Sequence, residues 1–119
     1  TWQTSLMSNL TENQIQRQIK QYLDIVLSAD SFWTAINPIP SKTIIAASNS
    51  KKMGMKAGVP DLLILHKGKT IWIEVKKEGG YLSRRQKEVH EQIAMAGGDV
   101  FTARSVDDVQ ELLQEWRII

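Results

Sequence analysis

The chain contains no cysteine. Disulfides, thiolate zinc sites and a cysteine nucleophile are therefore excluded, and a reducing compartment fits. Histidine is nearly as scarce, with His66 and His90 the only two, which argues against a histidine-built zinc site. A metal in such a chain would be held by oxygen, and that favours Mg²⁺ or Mn²⁺. No apolar run is long enough to span a bilayer. The N-terminus lacks a basic stretch followed by an apolar one, so no signal peptide is expected and the cytoplasm is the expected location. No repeat and no low-complexity tract is visible. No glycine-rich strand-to-helix loop with Lys-Ser/Thr occurs, so no phosphate loop and no small-molecule cofactor is expected.

What is present suits an ordinary globular domain. The chain has 119 residues, 42% of them hydrophobic and 24% charged. That length predicts a single domain able to bury a real core. The formal charge is +2 and the pI about 9.0, a weak pointer to nucleic acid by itself. Its distribution says more. Lys51, Lys52 and Lys56 fall together, followed by Lys76, Lys77, Arg84, Arg85 and Lys87, whereas Asp107, Asp108, Glu111 and Glu115 crowd the C-terminal end.

Residues 1–10 have no clear period and read as a flexible arm, and residues 11–119 as the domain. Thr11 and Gln14 have capping-box spacing, and Ile15, Ile19, Tyr22, Leu23 and Val26 recur at helical intervals, predicting a helix over about 12–27. Phe32 to Ile36 reads as a strand stopped by Pro38 and Pro40. Residues 43–54 are weakly helical and end on Gly54. Asp61 to Leu65 is an apolar run without alternation, as in a strand buried on both faces. After a turn at 66–69, residues 70–76 alternate, with Ile71, Ile73 and Val75 on one face and Trp72, Glu74 and Lys76 on the other. The two strands read as a hairpin. His66 is expected at the surface of its turn. Ser83 can cap a helix whose inward stripe is Gln86, Val89, Ile93 and Ala96, ended by Gly97-Gly98. His90 falls beside Gln86 at helical spacing and reads as a solvated or packed histidine. Val100 to Ala103 is a strand. Ser105 caps a last helix with Val109, Leu112, Leu113 and Trp116 as its stripe. Met53, Met55 and Met95 read as core or gap fillers, and Trp33, Trp72 and Trp116 as core. The order α-β-β-β-α-β-α predicts an α/β fold around a mixed sheet of about four strands flanked by helices.

The hairpin brings chemistry together. A turn centred between residues 67 and 68 puts Asp61 opposite Glu74, with Cβ atoms about 5 Å apart. Two like charges that close repel unless something compensates, and a divalent cation does so well. Lys76 shares the face of Glu74, where an ammonium could orient an attacking water or stabilise developing negative charge. These are the parts of phosphodiester hydrolysis. The same residues could also form a solvated sheet face with a Glu–Lys pair and a strand-opening aspartate, and the hairpin alignment is what weighs against that.

Pro60-Asp61 followed by Glu74-Val75-Lys76 resembles the PD-(D/E)XK nuclease signature. Gly58-Val-Pro-Asp61-Leu-Leu-Ile, Trp72-Ile-Glu74-Val-Lys76, Gly80-Tyr-Leu-Ser83 with Gln86, Ala96-Gly-Gly with Val100-Phe, and Ala103-Arg-Ser105 together look like its VRR-NUC branch. The resemblance covers about 58–109 and extends to the first helix through Thr11-Glu12-Asn-Gln-Ile15. It implies a restriction-endonuclease-like core and a Mg²⁺- or Mn²⁺-dependent DNA endonuclease. Asp61 and Glu74 would bind the metal with the Val75 backbone carbonyl, Lys76 would assist the attacking water, and Gln86 would match the glutamine of the following helix. Glu12 would match the acidic residue of the first helix, and is equally an ordinary first-turn acid. The stretch 37–45 carries few positive charges, so Lys42, Lys51, Lys52 and Lys56 would serve the phosphates there, with Lys77, Arg84 and Arg85 as further DNA contacts. Stand-alone members of this branch resemble structure-specific endonucleases, and viral ones, such as those of phages, tend to act as dimers on branched DNA. That implies a homodimer cutting four-way (Holliday) junctions. A monomeric flap-directed or nicking nuclease and a DNA-binding module without catalysis are the alternatives.

Overall fold

A computed structural model of the chain describes residues 9–36 and 44–119. Lys42, Pro38, Pro40 and residues 1–8 of the expected arm lie outside the described residues.

Helix α1 spans Glu12–Val26 and is opened by the expected capping box. The Gln14 backbone N–H donates to Thr11 Oγ1, and the Thr11 N–H donates to Gln14 Oε1. Strand β1 (Ser31–Ala35) follows, then helix α2 (Ile44–Lys52) and strand β2 (Leu62–His66). Strand β3 (Lys69–Val75) leads to helix α3 (Arg84–Met95), strand β4 (Asp99–Ala103) and helix α4 (Val106–Glu115). The sheet order is β1-β2-β3-β4. β1, β2 and β3 are antiparallel neighbours, and β4 runs parallel to β3 after the α3 crossover. The fold is thus the expected α/β arrangement, a mixed four-stranded sheet flanked by helices.

The core lies on one face of the sheet. Leu62 and Ile64 of β2, Ile71, Ile73 and Val75 of β3, and Ala103 of β4 are buried there. They pack with Ile15, Ile19 and Leu23 of α1 and with Val109, Leu112 and Leu113 of α4, and Leu10 from the start of the described chain joins them. Each valine, leucine or isoleucine among them contributes about 1.5–3 kcal/mol over its exposed state. That sum fixes the hairpin register, because a slip of one residue would turn the whole set to the other face. The turn is the tight Lys67-Gly68 pair, both at positive φ (46° and 82°), as a two-residue hairpin of the type I′ kind requires.

The second face is only half covered. Helix α3 lies over β3 and β4 through Val89, which is buried, while Leu65 remains 43% exposed. The expectation that β2 is buried on both faces is therefore corrected, since no helix covers its second face among the described residues. Ala96 and the methionines 53, 55 and 95 are exposed rather than core, because each projects from a helix end or loop beyond the sheet. His66 is also corrected. It closes β2 on the core face, is 8% exposed, and its Nδ1 lies 2.7 Å from Ser31 Oγ.

Gly58, just before Pro60-Asp61, has φ +83°, and a Cβ there would lie 2.9 Å from the Arg85 carbonyl oxygen. Gly68 has a similar φ but nothing within 4 Å of its Cβ position. Gly58→Ala is therefore expected to cost roughly 2–4 kcal/mol, strain plus overpacking, and Gly68→Ala roughly 1 kcal/mol. Urea unfolding of the two variants checks this, and equal losses would show that the approach of the Gly58 loop to α3 is not tight.

Candidate metal and nucleophile-activation site

The register Leu62↔Ile73 continues outward to set Asp61 against Glu74, the alignment expected from the turn. Asp61 precedes β2 and is anchored at both ends. Its carbonyl accepts the Ile36 N–H at 2.8 Å, and its Oδ2 accepts the Val75 N–H at 2.6 Å. Val75 therefore meets Asp61 through its N–H, across the hairpin.

Glu74 is 2% exposed, so the solvated-face reading of this strand fails. Its Oε1 lies 3.0 Å from His90 Nε2, and Gln86 Nε2 donates to its Oε2 at a long 3.5 Å. Burial pushes its carboxyl up to about 9, helped by the hydrogen bond and the charge of Asp61 and more weakly by Glu12, with Lys76 opposing. At neutral pH that direction favours a protonated Glu74. A pair of this kind behaves like two carboxylates forced into one site.

Lys76 is 9% exposed and is tied to β4 by its N–H on the Ala103 carbonyl at 3.0 Å. Its charge favours an ionised Glu74 and helps to keep His90 neutral, whose pKa burial already lowers. Gln86 is the N3 residue of a capping box on α3, and its Oε1 accepts the Ser83 N–H at 2.8 Å. The same amide therefore caps the helix and faces Glu74. His90, expected as a solvated or packed histidine beside Gln86, instead reaches the same carboxylate as Gln86.

Glu12 is half-buried in the first turn of α1, close enough for its charge to act on Glu74. It does not close a ligand cluster, since no group of three or more His, Asp or Glu is placed to hold a metal among the described residues. The expected basic residues are scattered. Lys51, Lys52, Lys56 and Lys77 are exposed. Arg84 and Arg85 both approach Glu88 at 3.4 Å, a surface arrangement worth little. Arg104 was not anticipated, and its Nη1 donates to the Lys77 carbonyl at 2.7 Å, bracing the chain just beyond Lys76.

The donor set fits a hard divalent cation. Two carboxylates set opposite each other at one strand end offer oxygen ligands to a cation, and Mg²⁺ commonly takes only one or two carboxylates beside water.

A half-open α/β sheet thus carries an acid pair and a lysine at its strand ends. A family model for the VRR-NUC domain matches residues 3–107. The chain belongs to the VRR-NUC family of nuclease domains. A solved structure titled "VRR_NUC domain protein" is 27% identical, with TM-score 0.71, covering 92% of this chain and 91% of that one. Another, titled "VRR_NUC domain", shares the fold at 22% identity and TM-score 0.64, covering 90% and 99%. No curated protein matches the chain.

The raised Glu74 has a consequence for stability. Its folded pKa of about 9 lies above the ordinary 4.5, so between those values the folded state holds more proton than the unfolded chain. Stability from this group is complete below about 4.5 and is lost as pH rises towards 9, at up to about 1.4 kcal/mol per pH unit. Melting in chelator across this window should show the decline, and Glu74→Gln should flatten it.

Proposed function

We propose that the chain is a Mg²⁺- or Mn²⁺-dependent deoxyribonuclease that hydrolyses phosphodiester bonds in branched DNA, four-way junctions first among them, as a homodimer. The observation that carries the metal-dependent reading is the buried Glu74 set opposite Asp61 by the hairpin register, beside the nearly buried Lys76. The dimer and the junction rest on the VRR-NUC resemblance and on symmetry, since two sites about a two-fold axis suit a two-fold junction. A cytoplasmic site of action goes with a DNA substrate.

Asp61 and Glu74 would hold the ion, with the Val75 carbonyl beside them and Glu12 in reserve at the start of α1. The bound ion would neutralise phosphate charge and make the attacking water more acidic. The chain supplies the rest. The Val75 N–H fixes the Asp61 carboxylate, leaving its other oxygen for a ligand. His90 and Gln86 hold the Glu74 carboxylate from α3. Lys76, nearly buried, keeps its ammonium where it can orient the water and stabilise the charge developing on phosphate. Lys77, Arg84 and Arg85, exposed at the same strand end, would meet flanking phosphates, with Lys51, Lys52 and Lys56 further out.

Incubating a labelled four-way junction and an equal-length duplex with Mg²⁺, with Mn²⁺ and with chelator tests this directly. Metal-dependent cutting of the junction alone is expected, reduced at least about 100-fold in Lys76→Ala. DNA retention without cutting in any metal would leave a binding module, and monomer mass with full junction cleavage would remove the dimer. His90→Ala should weaken Mn²⁺ binding about 10-fold by calorimetry, as for other groups that orient a ligand. An unchanged affinity would make His90 a packing residue only.

A further inference from the structure

A groove of about 530 Å³ runs between α1 and the edge strand β1, on the face of the sheet opposite Glu74. Asn13, Arg17 and Lys20 line it from α1, Trp33 and Ala35 from β1, and Leu62 from β2. It does not contain the acid pair, and its near end lies at the same end of the strands, across the sheet from that pair. Leu62 follows Asp61, Ala35 is the register partner of Leu62, and Asn13 follows Glu12. From there it extends about 10 Å along α1 to Lys20, at 1.5 Å per residue.

The lining has the chemistry of a nucleic-acid strand site. Trp33 presents an aromatic surface and is held in place, its Nε1 donating to Asp24 Oδ1 at 3.1 Å. Lys20 is paired with the same carboxylate at 2.5 Å, and Arg17 is the groove's cation outside that pair. Arg17 is exposed and has no ion-pair partner among the described residues. A cation tracking the backbone beside an aromatic stacking surface is how proteins hold single strands. The volume is that of a small-ligand pocket and suits a short unpaired stretch, because a base can lie on Trp33 only when it has left its own stack.

We infer that this groove binds unpaired nucleotides of the DNA strand flanking the cut, with Arg17 on a phosphate and Trp33 against a base. The inference rests on the nuclease reading above and gives its preference for branched DNA a physical source, since branch points supply unpaired nucleotides and duplex does not.

The test uses the full chain carrying Lys76→Ala, so that DNA is bound and not consumed. Binding of a forked DNA with a single-stranded arm and of a plain duplex is followed by anisotropy, in Ca²⁺. Adding Arg17→Glu should weaken forked DNA about 10-fold and lower its salt dependence, with about 2-fold or less on duplex. Lys69→Glu makes the same charge change at the far, hairpin end of the sheet and should move neither. A photoreactive halogenated pyrimidine in the single-stranded arm should crosslink to the peptide containing Trp33. Equal losses on fork and duplex, no loss in Arg17→Glu beyond that of Lys69→Glu, or crosslinking confined to other peptides would each overturn the inference. Metal-dependent cutting by the Lys76 protein would survive any of those results and leave the catalytic reading intact. Absence of both DNA binding and cutting would remove both.

Discussion

The site depends on one constraint, the register of the β2–β3 hairpin. Asp61 and Glu74 have no attraction for each other when ionised. They are held together because Leu62, Ile64, Ile71 and Ile73 bury on the same face next to them, and because Lys67-Gly68 permits one tight turn. Apolar burial worth several kcal/mol thus imposes a polar juxtaposition that costs free energy. Burial and the neighbouring Asp61 push the Glu74 carboxyl upward, which lowers that cost.

Helix α3 is the second support. It carries Gln86 and His90 onto Glu74, and the close approach of Gly58 to Arg85 ties its start to the loop that delivers Asp61. β4 contributes by pairing with β3 as far as Ala103, whose carbonyl fixes Lys76. The three candidate side chains are therefore each anchored to a different neighbour, Asp61 to Val75, Glu74 to α3 and Lys76 to β4.

Much of this was legible in the sequence. The α/β order, the capping boxes at Thr11 and the cap at Ser83, and the opposition of residues 61 and 74 all follow from local rules of period, turn and cap. What was not legible depends on which face another element covers. An unbroken apolar run at 61–65 cannot say that α3 stops short of β2, so Leu65 was expected to be buried. A histidine next to Lys67-Gly68 looks like part of the turn, and only the two-residue geometry returns His66 to the strand and to Ser31. His90 was visible as a neighbour of Gln86, but helical spacing alone does not reveal what both side chains reach. The groove beside Trp33 was hidden for the same reason, as it exists only once α1 and an edge strand are laid side by side.

The amide of Gln86 links local folding to the site in a way that matters when the protein is warmed. Its oxygen closes the first turn of α3 while its nitrogen faces Glu74, so the two ends of one side chain serve a helix start and a carboxylate. Helix ends open more readily than the domain as a whole. Fraying of that single turn would release Gln86, loosen the support of Glu74 and disorder the site while the core of α1, α4 and the sheet stayed folded.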